Sequence, residues 1–404
     1  MKDVLKLALG IVTSIAGFIE VGSLSTSAQA GAQYGFQLLW AILAATICLI
    51  FLTEMSGRLA AVSKHPMVAG VRERFGIRYQ AIPLTGEIFL DLLVLTAEIG
   101  GVCIALQLLS GRSFRIWAVP VAFLVWLLLW KGKFSALENG ISGLGLVSLA
   151  FVVGAFRLHP DWGQVARGFA PTLPHEEPMR YGFLAVSILG ATLSPYLLHF
   201  YSSGAIEDEW GEKDLPANRI TASVGMAFGS TVSMGVLVVA AWVLKPSGIR
   251  VESFEQAALM LTDPFGRWGV PLFAAALGIG CLGAAIEVSL NLGYVISQAL
   301  GWEWGEDQKP HEDARFCTVY MAALALAVLP TLLGAPPLRV TMIAMALTVL
   351  VLPFIVLPFL ILMNDPHYLK THRNGFIGNA VVLAVIVLGA LLALVVVPLE
   401  VLGG

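Results

Sequence analysis

Four acidic residues, Glu20, Asp91, Glu98 and Glu287, stand inside runs that are otherwise almost wholly apolar. A carboxylate in such a setting costs several kcal/mol unless a cation or a proton compensates it, so each needs a chemical reason to be there. Glu20 lies at an expected helix break, where Ser14-Ile15-Ala16-Gly17-Phe18-Ile19 runs into Glu20-Val21-Gly22-Ser23. A second break is written at Leu193-Ser194-Pro195-Tyr196, because Pro195 has no N–H and clashes with the turn before it. Gly22 weakens the first helix, so both places favour unwinding. Unwound backbone survives at membrane depth only where it lines a cavity or meets a ligand. Glu87, Asp91 and Glu98 are spaced by 4 and 11 residues from the first. On a helix that puts them within roughly 40° of arc, an acidic stripe that reads as a wet path for a cation, the alternative being a set of buried, neutral, hydrogen-bonded acids. Glu287 has Asn291 one turn later on its own face.

These residues are carried by a chain of 404 residues that is 57% hydrophobic and 13% charged, with a mean hydropathy of +0.82. Soluble domains carry about 25% charged residues, so the composition excludes an ordinary soluble enzyme and a disordered chain. The 24 basic residues do not outnumber the 27 acidic ones, which leaves no footprint for a nucleic acid. A spanning helix needs about 20 mostly apolar residues. Eleven runs meet that need, near 6–30, 36–56, 81–109, 114–131, 139–157, 180–204, 219–245, 269–301, 316–334, 339–363 and 376–399. The expected architecture is an all-α integral membrane protein of one transmembrane domain, 1–404, with the lipid bilayer as its solvent.

Breaks in the first and sixth runs, five helices apart, point to an inverted repeat with its site at the midplane. The repeats are expected over about 6–157 and 180–363, with an extra helix at about 376–399. Fifteen of the 24 Lys and Arg fall in loops on one side if the N-terminus is cytoplasmic, which places the C-terminus outside the cell. Trp40, Trp117, Trp126, Trp130, Trp242 and Trp268 sit near the ends of runs, as interfacial anchors do. The acidic stretch 207–214 reads as a solvated hinge. Cys48, Cys103, Cys281 and Cys317 lack metal-type or disulfide spacing and read as small buried hydrophobes. No signal peptide is read at the N-terminus.

The stretch from Gly10 through Ala16, then Glu20-Val21-Gly22-Ser23, then Ala30-Gly31-Ala32-Gln33-Tyr34-Gly35-Phe36-Gln37-Leu38-Leu39-Trp40 resembles the first helix and loop of the Nramp metal-ion transporters. Ala97-Glu98-Ile99-Gly100-Gly101, Gly190-Ala191-Thr192-Leu193-Ser194-Pro195 and Pro353-Phe354-Ile355-Val356-Leu357-Pro358 are similar too. The resemblance implies the LeuT-type fold of the APC superfamily, with eleven helices, a 5+5 inverted repeat and breaks in helices 1 and 6. It also implies import of a divalent metal, usually coupled to protons. Against the family pattern, Glu20 stands for Asp, Val21 for Pro and Ser23 for Asn, while Gly22 is kept. Ser194-Pro195-Tyr196 stands for Met-Pro-His, Leu95 for an Asp, and Met345 aligns with a Gln.

These departures point toward the magnesium-handling branch of the family. Exchanging a soft thioether for the Ser194 hydroxyl leaves an all-oxygen set: the Glu20 carboxylate, Ser23 and Ser194 hydroxyls, the Ala191 carbonyl and water. Such a set suits Mg²⁺ and also admits Mn²⁺. Tyr196 in place of His removes a group that titrates near neutral pH, and Leu95 breaks the acid relay. The expected activity is inward movement of Mg²⁺ or Mn²⁺ across the plasma membrane by alternating access, with weak or no proton coupling. Gly22, Asp91, Glu98, Tyr196, Glu287, Asn291 and Met345 are expected along the pathway or behind the ligands. The rivals are a proton-coupled Mn²⁺/Fe²⁺ importer and a transporter of a small organic cation. No His-Glu-x-x-His or nucleophile elbow is present, so no enzymatic role is expected. Neither is a cofactor, a nucleic-acid partner or an obligate protein partner. His199 reads as a helix-packing residue.

Overall fold

The computed structural model describes residues 20–131, 140, 143–172, 174, 177–305 and 314–402, and these are nearly all helical. The first half of the first run, with Gly10–Ala16 and Ser14–Ile19, lies outside the described residues, as does the start of the 139–157 run. The helices that matter below are α1 (Val21–Tyr34), α2 (Leu39–Ser63), α3 (Met67–Phe75), α4 (Ile77–Ser110), α5 (Ala118–Lys131) and α6 (Leu149–Arg157). They continue as α7 (Pro178–Thr192), α8 (Pro195–Glu207), α9 (Leu215–Val243), α10 (Gly269–Leu300), α11 (Ala314–Leu333), α12 (Pro337–Asn364) and α13 (Phe376–Leu402). Eight of the described helical stretches are long and apolar enough to cross a bilayer, and Gly143–Arg157 and Phe376–Leu391 add two shorter apolar ones.

The sixth run is broken where Pro195 forbids the backbone bond that would continue it. α7 ends at Thr192, and Pro195 opens α8 as its first residue, where a missing N–H costs nothing. In the first run the described residues begin at Glu20. Glu20 is extended (φ −101°, ψ 169°), but Val21, Gly22 and Ser23 already form the first turn of α1. Gly22 therefore does not unwind the helix; its value is the space it leaves, described below.

Helix packing follows small residues. α4 and α10 form the largest interface in the molecule, the pairing that an inverted repeat requires of the third and eighth helices. Gly31 of α1 lies against the Leu237 carbonyl of α9, and Gly190 of α7 lies against the Met345 carbonyl of α12. Close backbone approach through Gly is how helices gain dispersion contact in a solvent as apolar as their own side chains. Outward faces carry the opposite residues: Phe123, Leu326, Leu329, Phe354 and Ile361 are all about half exposed or more, as lipid-facing positions should be. Trp130, Trp242 and Trp268 are exposed at helix ends. Trp40 is not a free anchor, since its indole N–H donates to the Tyr181 hydroxyl at 2.9 Å.

α3 lies outside the spans. Arg74 on it donates to Asp365 at 3.0 Å, fastening it to the end of α12. The His367 backbone N–H, with Arg74 behind it, holds the Asp365 carboxyl below the usual carboxylate range.

Candidate functional site

Between the two breaks sits a buried polar cluster. Glu20 is 2% exposed, and its Oε2 accepts a hydrogen bond from the Tyr196 hydroxyl at 2.9 Å, joining the start of α1 to the start of α8. Its other oxygen, Oε1, is buried with no partner among the described residues. Ser194 turns its hydroxyl back toward the Gly190 and Ala191 carbonyls at 3.3 and 3.5 Å. The Ala191 carbonyl is the one that the absent N–H of Pro195 would have taken. Ser23 lies in the first turn of α1, one turn after the extended Glu20.

Glu98, fully buried on α4, aims both carboxylate oxygens at the Val21 N–H, at 3.2 and 3.3 Å. Val21 is the first residue of α1, so a side chain from another helix satisfies one of its orphan donors and opposes its dipole. Glu98 thus acts first as a cap that fixes where α1 begins, and hence where Glu20 points. The Cys281 thiol of α10 hydrogen-bonds to the same carboxylate, which corrects the reading of all four cysteines as plain hydrophobes. Gly101 makes this possible, because any side chain there would strike the Cys281 sulfur. The half-buried Glu287 is close enough to Glu98 and Tyr196 to act on both electrostatically.

Met345 closes the cluster from α12. A β-carbon placed on Gly22 would lie 2.6 Å from the Met345 sulfur and 3.0 Å from Glu20 Oε1. The thioether and the unpartnered oxygen are therefore neighbours across the space that Gly22 leaves open. Met345, expected along the pathway or behind the ligands, thus stands beside Glu20.

The acidic stripe of α4 does not form one continuous path. Asp91 and Glu87 belong to a second cluster, nearer the N-terminus of α4, with Asn291 and His199. Asn291 Nδ2 donates to Asp91 Oδ2 at 2.8 Å and to Glu87 Oε1 at 3.4 Å, and His199 Nδ1 pairs with Glu87 Oε1. All four residues are at most 3% exposed. His199 is not a simple packing residue, and Asn291 serves Asp91 and Glu87 rather than Glu287. Among the described residues no Lys or Arg forms an ion pair with Glu20, Glu87, Asp91 or Glu98. Nor, among them, do three His, Cys, Asp or Glu side chains converge as a preformed metal cage.

Residues 10–398 match the family model described as natural resistance-associated macrophage protein-like, or Nramp. The chain belongs to the Nramp family. Over 290 residues it is 28% identical to the divalent metal cation transporter MntH of Deinococcus radiodurans, a match covering 67% of this chain and 64% of that one. With MntH of Bacillus subtilis it shares 28% identity over 295 residues, 70% of this chain and 67% of the relative. The chain therefore spans just under two thirds of the length of the Deinococcus relative. Its fold is that of an Nramp protein: the manganese transporter of Eremococcus coleocola superposes with a TM-score of 0.81 at 19% identity, covering 96% of this chain and 85% of that one. MhsT, solved with L-phenylalanine, superposes at 0.58 and 16% identity over 96% and 97% of the two chains, which places the Nramp chain in the wider LeuT-type class. It is a multi-pass membrane protein of that class.

Proposed function

We propose that the chain moves a divalent metal cation inward across the plasma membrane by alternating access, as a transporter and not an enzyme. The observation that carries this reading is Glu20 Oε1, a buried carboxylate oxygen that has no partner among the described residues and stands at the start of α1. Burying an unpaired carboxylate oxygen is costly, and a bound cation removes the cost. Ser23, Ser194 and the Ala191 carbonyl supply further oxygens from the two broken helices, and retained waters complete the shell. Hard, partly hydrated coordination suits Mg²⁺, which keeps several waters, and Mn²⁺ fits the same donors. With the N-terminus in the cytoplasm and the C-terminus outside, the membrane voltage supplies about 4.6 kcal/mol per divalent ion per 100 mV, enough to drive uptake with weak or no proton coupling. The repeats over about 6–157 and 180–363 would rock against each other about this site, with 376–399 outside them.

A second reading has its own support. Met345 places a thioether beside Glu20, and soft sulfur favours Mn²⁺ and Fe²⁺ over Mg²⁺. The relatives whose names specify a divalent metal cation, and the solved manganese transporter, agree with it. On that reading the chain is a proton-coupled importer of manganese or iron. A small organic cation is the weakest fit, since nothing in the cluster resembles an aromatic cage for it.

Uptake of Mg²⁺, Mn²⁺ and Ca²⁺ into proteoliposomes, with internal pH followed in parallel, decides among these. Mg²⁺ flux without internal acidification is the expected result; Mn²⁺ flux with strong acidification and no Mg²⁺ flux would sink the first reading. Ser194→Met should raise the Mn²⁺ over Mg²⁺ uptake ratio by about tenfold, a change of about 1.4 kcal/mol for one added soft donor. An unchanged ratio would remove Ser194 from the ligands. Tyr196→Phe deletes the donor that holds Glu20 Oε2, so the apparent metal affinity should fall about tenfold, within the range of a charge-assisted hydrogen bond. Unaltered affinity in a competition assay would show that this bond does not position Glu20.

A further inference from the structure

The cluster of Glu87, Asp91, His199 and Asn291 plays no part in holding the metal as described above. It lies on the cytoplasmic side in the proposed orientation, and three helices meet there: α4 gives both acids, α8 gives His199, and α10 gives Asn291. A narrow crevice reaches it, lined by Met67, Val71, Gln80, Pro83, Glu87 and His199. The other residues that line the crevice are uncharged. α3 presents Met67 and Val71, and α12 presents Phe354, Ile355 and Pro358. From α2, Ser56 donates to the Leu198 carbonyl, while Glu54 and Arg58 pair with each other at 3.0 Å. From α10, Glu287 lies one turn away from Asn291, toward the centre. The charge of the cluster is thus set by protons on its own members.

We propose that His199, Glu87 and Asp91 form a proton-binding site, distinct from the metal site and loaded from the cytoplasm, that sets how firmly α8 is fastened to α4 and α10. The inference rests on the proposed orientation and on the transport reading only for its physiological sense. A protonated imidazole makes a buried ion pair with Glu87, which holds α8 shut against α4. A neutral imidazole leaves a weaker bond, with Asn291 as the donor that Glu87 and Asp91 share. Opening of the cytoplasmic half, and release of the ion, should therefore be faster at high internal pH than at low internal pH. Mn²⁺ entry would be throttled by an acid cytoplasm without a proton crossing in exchange.

The test uses the full chain in liposomes, with Mn²⁺ as probe, external pH and voltage fixed, and internal pH clamped between about 6 and 8. Wild-type initial uptake should drop several-fold from the upper to the lower value. His199→Gln and Glu87→Gln should each flatten that dependence to within about 1.5-fold, while purified variants still bind Mn²⁺ as the wild type does. A flat wild-type profile, an unchanged profile in both variants, or loss of Mn²⁺ binding in both would overturn the proposal. A second readout needs no transport. In detergent, Val71→Cys in the crevice should react with a thiol reagent several-fold faster at pH 8 than at pH 6, after correction for thiolate fraction. Equal corrected rates would overturn the proposal, whereas absent Mn²⁺ and Mg²⁺ uptake with pH-dependent labelling would overturn only the transport reading.

Discussion

Glu20→Gln should reduce uptake of Mg²⁺ and Mn²⁺ at least about 100-fold, which corresponds to about 2.7 kcal/mol of lost ion stabilisation. Glutamine keeps the size of the side chain and still accepts the Tyr196 O–H at 2.9 Å, so the geometry of the break is conserved. What disappears is the negative charge that a cation must meet inside a closed site. The apo protein should not suffer, because a buried carboxylate oxygen without a partner is itself a cost that the amide lessens. Thermal unfolding of the detergent-solubilised protein distinguishes this from misfolding. Wild type should gain stability as Mn²⁺ is added, since a ligand that binds only the folded state stabilises it. Glu20→Gln should start at or above the wild-type apo midpoint and gain nothing. A variant that still transports, or that still gains stability from the metal, would remove Glu20 from the site.

How far the site was legible in the sequence depends on whether the signal was local. Pro195 and the acid at position 20 are local statements: one cannot continue a helix, and the other has no place in an apolar run. Both led to the centre of the molecule, and the packing of α4, which carries Glu98, on α10, which carries Glu287, is what the repeat led one to expect. Periodicity also put Glu87, Asp91 and Glu98 on one face, and there it stopped. Which of them share a cluster is decided by what the opposite helices present at each level. His199 and Asn291 reach the first two, while the Val21 N–H and Cys281 reach the third. The signal for His199 is its place one turn after Tyr196, on a helix that must face α4. The Gly22 reading failed in an instructive way: glycine weakens an isolated helix, but in a packed one the absence of a side chain is the dominant effect.

The same effect predicts the largest loss of stability. Gly190 sits in α7, four residues before Ser194, with its Cα pressed on the Met345 backbone carbonyl of α12. A backbone carbonyl in mid-helix cannot swing aside as a flexible side chain can. Gly190→Val should therefore push α7 and α12 apart and cost more than about 3 kcal/mol, the range of severe overpacking, with little monodisperse protein recovered. Gly204, in α8 of the same broken helix, has open space where its β-carbon would be. Gly204→Ala should be neutral or stabilise slightly, by at most about 1 kcal/mol, because alanine is the better helix former. Size-exclusion profiles and unfolding midpoints of the two variants side by side separate a general intolerance of the broken helix from a specific contact. If Gly190→Val matches wild type, the approach of α7 to α12 is looser than described. Met345 would then lose the anchor that holds its sulfur beside Gly22 and Glu20, and the manganese reading would lose its structural support with it.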